Sequence, residues 1–297
     1  MIQLGSYNTL RILRHSDHGL YLAGDEKTGD ILLPNRFVTR QMHVGDEIEV
    51  FIYLDQDERM VATTEKPFAQ VGEFASLEVA WTNQYGVFLR WGLMKDLFCP
   101  FREQKQPMHQ GRAYIVYIRV DEESYRLMAT AKVERYLTVP TTDDLPQLQH
   151  GMPVDILIWQ KTDLGFKVIV NNRFQGQIYD NQIFQPLHSG DRLSAYVDHV
   201  RLDGKIDLTL QPTGRQQTLD FAEVLLRYLY ENNGRCELDD HSPSELIADR
   251  FKVSKKVFKK AIGDLYRRRL ITIEADGLRL SSGERANGSL TPQAYAR

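Results

Sequence analysis

The 297-residue sequence predicts a mainly β chain with a small α+β unit toward its C-terminal end. Three consecutive five-stranded closed barrels are expected, then three helices and a short hairpin. Two observations carry this reading. A punctuation of glycines, short apolar strands and a closing basic strand recurs three times, with a period of about 65–80 residues. After residue 213 the strand-like texture gives way to helical apolar spacing.

In the first repeat Gly19 precedes Leu20-Tyr21-Leu22, followed by Ile31-Leu32-Leu33-Pro34, Gly45-Asp46, Asp55 and Arg59-Met60-Val61-Ala62-Thr63. The second runs Gly86, Val87-Phe88-Leu89, Leu97-Phe98-Cys99-Pro100, Gly111, Asp121 and Arg126-Leu127-Met128-Ala129-Thr130. The third runs Gly165, Phe166-Lys167-Val168, Gly176-Gln177-Ile178-Tyr179-Asp180, Gly190-Asp191, Asp203 and Lys205-Ile206-Asp207-Leu208-Thr209. Gly19 to Pro34, Gly86 to Pro100 and Gly165 to Asp180 span 15, 14 and 15 residues. Glu47 to Tyr53 alternates polar and apolar residues, the period of a half-buried strand. Ala113 to Val120 is rich in β-branched and aromatic residues, and Asp203-Gly204 reads as a hairpin turn. Five short strands with glycine at the bends fit a small Greek-key barrel, the OB fold, whose closure leaves no free sheet edge.

Thr218 to Tyr230 places Leu219, Ala222, Leu225, Leu226 and Leu229 on one helical face. Ser242-Pro243-Ser244-Glu245 reads as a helix start, with Ser242 as N-cap and Pro243 at the first helical position. Ser254 opens a helix that reaches about Arg269. Leu270 to Glu274 and Leu278 to Leu280 form a hairpin around Asp276-Gly277. Three helices and a two-stranded wing describe a winged helix-turn-helix. The expected units are residues 1–66, 67–137 and 146–213 for the barrels and 218–281 for the winged helix, with 282–297 a disordered tail.

Charge and cysteine content narrow the functional classes. The formal net charge of −3 argues against a globally basic nucleic-acid coat protein. By segment the balance is uneven: residues 1–66 carry 7 bases against 11 acids, whereas residues 250–270 carry nine Lys/Arg and one acid, Asp264. Cys99 and Cys236 lie far apart with no CxxC spacing, so neither a disulfide framework nor a zinc site is expected. No long apolar run or cleavable leader is evident, and a reducing cytoplasm is the expected compartment, with no membrane partner. Walker, GxSxG and HExxH motifs are missing, so neither enzymatic activity nor a cofactor or metal is expected.

The repeats resemble ribosomal S-one-type RNA-binding domains in their Gly-aromatic second strand, Gly-Asp turn and basic last strand. Three such repeats followed by a winged helix resemble the conserved virulence factor B family, also called YitL-like proteins, over residues 1 to about 281. The segment Lys95-Asp96-Leu97-Phe98-Cys99-Pro100-Phe101 carries part of that likeness. The resemblance implies a bacterial RNA-binding regulator without catalytic activity. The third-strand His of the usual pattern falls on Leu33, Cys99 and Tyr179. The positions around the second-strand glycine that the usual pattern fills with aromatics hold Tyr85 and Phe88 in repeat two, His18 and Tyr21 in repeat one, but Leu164 and Lys167 in repeat three.

Single-stranded nucleic acid requires π surfaces for bases and cations for phosphates. In repeat two these are Tyr85, Phe88, Arg90 and Arg126, although Phe88 reads equally well as barrel filling. In repeat three the candidates are Lys167, Arg173, Tyr179 and Lys205. Trp81 and Trp159 read either as base-stacking platforms or as interdomain packing. On the last long helix, Val257, Phe258, Ala261, Ile262 and Leu265 form the expected buried arc at about 100° per residue. Lys256, Lys259, Lys260, Gly263 and Arg267 fall opposite, as candidates for nucleic-acid phosphate contact. The expected partner is single-stranded or structured RNA, with a duplex contact through the winged helix. Two other readings are a DNA-binding transcription regulator and a protein-interaction scaffold, the acidic first barrel being the candidate protein-binding unit.

Overall fold

A computed structural model describes residues 1–183, 185–211, 215–274 and 276–281, the side chains of 215–220 excepted. The expected tail, 282–297, lies outside the described residues. The first barrel comprises β1 (Tyr7–Ser16), β2 (Gly19–Leu22), β3 (Ile31–Pro34), β4 (Glu47–Leu54) and β5 (Met60–Thr63). The second comprises β6 (Phe74–Thr82), β7 (Gly86–Arg90), β8 (Leu97–Pro100), β9 (Ala113–Val120) and β10 (Leu127–Thr130). The third comprises β11 (Pro153–Thr162), β12 (Gly165–Val170), β13 (Phe174–Tyr179), β14 (Arg192–Val200) and β15 (Ile206–Thr209). All three sheets close with one topology: the first three strands run in order, and the fifth inserts between the third and the fourth. The third and fifth strands pair in parallel, the rest antiparallel.

The repeated second-strand glycine has a steric cause. A Cβ on Gly19, Gly86 or Gly165 would stand 2.0, 2.4 or 2.0 Å from the carbonyl oxygen of Leu33, Cys99 or Ile178 on the adjacent strand. No larger residue allows that approach. The register also corrects one alignment made from spacing. Gly165 pairs with Tyr179, as Gly19 does with Pro34 and Gly86 with Pro100. The counterpart of Leu33 and Cys99 is therefore Ile178, and Tyr179 stands one position further on.

Each first strand carries a bulge, at Leu13, Ala80 and Trp159 respectively. The extra residue breaks the two-residue alternation of faces. Trp81 follows its bulge and pairs with Phe88, whereas Trp159 is itself the bulged residue. Trp159 is 8% exposed and packs with Phe74, Ile115, Leu157 and Ile169 in a cluster shared by the second and third barrels. Of the two readings open for Trp159, the structure adopts interdomain packing. Asn172, at φ 56°, clamps the same junction: its side chain accepts from the Phe74 N–H at 2.8 Å and donates to the Gly72 carbonyl at 3.1 Å. The first two barrels are joined as closely. Phe51, Tyr53 and Val61 belong to one apolar cluster with Leu89 and Trp91, and Phe51 meets Trp91 edge-on at 5.8 Å.

The C-terminal unit contains α1 (Arg215–Glu231), β16 (Arg235–Cys236), α2 (Ser244–Phe251), α3 (Lys255–Arg267), β17 (Ile271–Glu274) and β18 (Gly277–Leu280). The short β16 was not foreseen; it pairs with β18 and widens the wing to three strands. Ser242 does not cap α2. Its hydroxyl donates to the Asp239 carboxylate and accepts from the Asp239 N–H, both at 2.9 Å, and the helix begins two residues later. Ser254 does cap α3, accepting from the Val257 N–H.

Candidate nucleic-acid interface

On β7, Val87 and Leu89 fill the second barrel while Phe88 and Arg90 face outward. On β8 the same alternation buries Leu97 and Cys99 and turns Phe98 outward. The cross-strand pairs Trp81–Phe88 and Phe88–Phe98 thereby build a continuous aromatic surface. Trp81 and Phe88 stack with centroids 3.7 Å apart, and Phe98 follows at 5.0 Å, tilted by 40°. The Trp81 indole N–H donates to Asp96 at 3.0 Å, which fixes the ring in its plane. Phe88 is half-buried and does not fill the barrel.

Phe88 and Phe98 floor a cleft of about 900 Å³ between the first two barrels, and Trp81 extends the stack from Phe88. Tyr85 and Phe101 stand on its rim, 65% and 50% exposed, and the Phe101 N–H donates to the Tyr85 carbonyl at 3.1 Å. Lys95, Arg102 and Arg126 supply its cations, against the carboxylates of Glu58, Asp96, Asp121 and Glu123. Burial lowers the Lys95 ammonium from its ordinary value, an effect partly offset by the charges of Glu58 and Asp55. The Asp121 carboxyl is lowered, chiefly by the hydrogen bond it accepts from Ser124. With acids outnumbering bases, the cleft presents π surface rather than a phosphate channel.

Three of the four residues singled out in repeat two, Tyr85, Phe88 and Arg126, line this cleft. Arg90 does not. It pairs with Glu78 at 3.0 Å and borders a separate depression with Phe68 and Gly92. Phe98, Phe101, Lys95 and Arg102 were missed. The alternation Leu97-Phe98-Cys99 held the signal for Phe98.

The other barrels lack the platform. At the positions of Trp81, Phe88 and Phe98 the first barrel has Arg14, Tyr21 and Leu32, with the Arg14 guanidinium 3.7 Å over the Tyr21 ring. The third has Gln160, Lys167 and Gln177. Its four candidates do not converge. Tyr179 receives a hydrogen bond from Arg201, which also pairs with buried Asp207. Arg173 lies at the opposite end of β13 from Tyr179, about 20 Å away at 3.3–3.4 Å per residue. There it pairs with Asp144 at 2.9 Å while its carbonyl accepts from Thr138. Lys205 pairs with Asp203 at 2.7 Å. Lys167 approaches the face of Trp159, 5.6 Å from the ring centroid.

In the winged helix, α3 buries the arc Val257, Phe258, Ala261, Ile262 and Leu265. Lys256, Lys259, Lys260, Gly263 and Arg267 are all exposed. Lys259 stands 3.8 Å from Asp240. Among the described residues, Lys256, Lys260 and Arg267 have no ion-pair partner. A Cβ on Gly263 would meet nothing within 4 Å among the described residues, so no packing there requires glycine. Among the described residues no helix is long and apolar enough to cross a membrane.

Two family models match the sequence: an S1 domain over residues 4–65 and a CvfB-like winged helix domain over residues 223–280. The chain is 30% identical over 272 residues to the uncharacterized protein YitL of Bacillus subtilis, covering 88% of each. It is 22% identical to conserved virulence factor B of Staphylococcus saprophyticus, over 81% of this chain and 82% of that one. Among solved structures it resembles a multidomain protein with nucleic acid binding domains from Streptococcus pneumoniae. That likeness covers 93% of this chain and 98% of the other, at 23% identity and a TM-score of 0.42. Three barrels and a winged helix in this order, with the YitL match across nearly the whole sequence, place the chain in the YitL-like, or conserved virulence factor B, family.

Proposed function

We propose that this protein is a non-catalytic, cytoplasmic RNA-binding regulator acting after transcription or on translation. It engages single-stranded RNA at the cleft of the second barrel. The observation that carries the reading is the Trp81–Phe88–Phe98 surface, flanked by exposed Tyr85 and Phe101. Unstacked bases dock on such faces irrespective of sequence, each stack contributing about 1–3 kcal/mol. Lys256, Lys260 and Arg267 of α3, without an ion-pair partner among the described residues, add phosphate contacts on structured RNA or a duplex. Weak sites on one chain reinforce one another through effective concentration.

A DNA-binding regulator acting through α3 is the second reading. Its exposed face carries mostly lysines, which suit phosphates better than base edges. A scaffold role for the acidic first barrel is a third. Comparing single-stranded RNA, hairpin RNA and duplex DNA across a salt series tests the three. The RNA reading expects preference for RNA and affinity falling steeply with salt. Equal or tighter binding to a defined DNA duplex favours the transcription regulator, and no binding to either nucleic acid leaves the scaffold.

A further inference from the structure

The hairpin joining β4 and β5 belongs to the first barrel, yet its residues Leu54, Gln56 and Glu58 form one wall of the second barrel's cleft. Its base is fixed: Tyr53 and Val61, cross-strand partners, are buried in the apolar cluster shared with Trp91. Its tip is fixed too. The Asp55 carboxylate accepts from the N–H groups of Asp57 and Arg59 and from the Arg59 guanidinium, each at 2.9 Å. Arg59 is thereby neutralised within its own turn, as Lys205 is by Asp203 in the third barrel. Arg126, at the equivalent position of the second barrel, is treated differently. Its guanidinium pairs with Glu58, across the barrel junction. The neighbouring Lys95 ammonium donates to the Asp55 carbonyl at 2.6 Å.

We propose that Glu58 is a specificity-determining residue of the second barrel's cleft, contributed by the first barrel. Its carboxylate occupies the Arg126 guanidinium in place of a phosphate. Polyanions without bases gain little from the cleft, and single strands are selected by stacking on the aromatic floor. RNA that brings a phosphate to Arg126 must displace Glu58 first. The acidic first barrel thus serves the neighbouring site without carrying a stacking platform of its own. This inference rests on the RNA reading of the cleft.

The test compares wild type, Glu58→Gln, Arg126→Gln, the double variant and Phe88→Ala. Binding to a labelled single-stranded RNA of random sequence is measured across a salt series, with polyphosphate as competitor. Glu58→Gln should bind about two- to tenfold more tightly. Its salt dependence should steepen by about 0.7 in log–log slope, one added phosphate contact. Polyphosphate should compete better against it than against wild type. The double variant should lie close to Arg126→Gln alone, because Glu58 acts chiefly through the Arg126 guanidinium that it pairs with and only at longer range on Lys95. Asp57→Asn, on the same turn but paired to Arg59 at 2.9 Å, controls for damage to the hairpin and should leave binding unchanged. Unchanged or weaker binding by Glu58→Gln, with Phe88→Ala still impaired, overturns the role of Glu58 and leaves the RNA reading standing. No RNA binding by wild type overturns both.

Discussion

Trp81 and Phe88 lie on neighbouring strands with their rings 3.7 Å apart and 5° from parallel. The contact depends on the bulge at Ala80, which returns Trp81 to the outer face beside Phe88. One face of the pair covers barrel surface, and Trp81 remains 44% exposed. Such a rigid platform offers a base a stacking partner with little side-chain entropy left to lose.

Truncating Tyr85 and Phe88 together should therefore weaken binding to single-stranded RNA while leaving the barrel folded. Each lost stack contributes about 1–3 kcal/mol, or about 5- to 150-fold in affinity. Fluorescence anisotropy reads the loss. Circular dichroism should show the strands intact, because Tyr85 is on the rim and Phe88 faces away from the core.

Trp159→Ala should behave in the opposite way. The residue is buried between two barrels, so its loss should cost about 3–5 kcal/mol of stability, as expected for a large buried aromatic. RNA affinity measured below the melting transition should change little. Denaturant unfolding followed beside binding separates the two effects.

These two tryptophans show where sequence reading stops. The glycine spacing, strand alternation, basic helix and buried arc of α3 are local regularities, and all were legible. A single-residue bulge leaves no mark in composition, yet it sends Trp81 to the outer face beside Phe88 and Trp159 into a junction. The fate of three candidate cations depended on residues distant in sequence. Arg90 meets Glu78, Arg173 meets Asp144 and Arg126 meets Glu58, and no spacing rule anticipates such pairs. Phe98 was legible from the alternation Leu97-Phe98-Cys99, whereas Phe101 follows the strand in a short turn that carries no such period.

Gly263→Ala should stabilise the winged helix by about 1 kcal/mol, since an exposed mid-helix glycine has no contact to lose. If the Lys256–Lys260–Arg267 face docks on nucleic acid, the same substitution should weaken that binding. Replacing Lys260 or Arg267 by Gln should lower the log–log salt slope on duplex by about 0.9 for each phosphate contact removed. Thermal melting and gel-shift titration provide both readouts.

Acid should loosen the start of the first barrel. The Asp25 carboxyl is lowered to about 2, chiefly by the hydrogen bond from the Ile2 N–H, with Thr28 next. A carboxyl lowered on folding contributes stability that is complete above its unfolded value near 3.8 and fades as pH falls toward about 2. Asp25→Asn should melt lower than wild type at neutral pH. The gap should close as pH drops through that window, a trend that melting curves at stepped pH reveal.

Photo-cross-linking locates the bound strand most directly. Single-stranded RNA carrying thiouridine is irradiated with the full-length protein, and the attached peptides are mapped. Stacking at the second barrel predicts adducts at Trp81, Tyr85, Phe88, Phe98 or Phe101, diminished in the Tyr85→Ala/Phe88→Ala protein. Adducts confined to α3 or to the third barrel, with the cleft peptides clean, would contradict it.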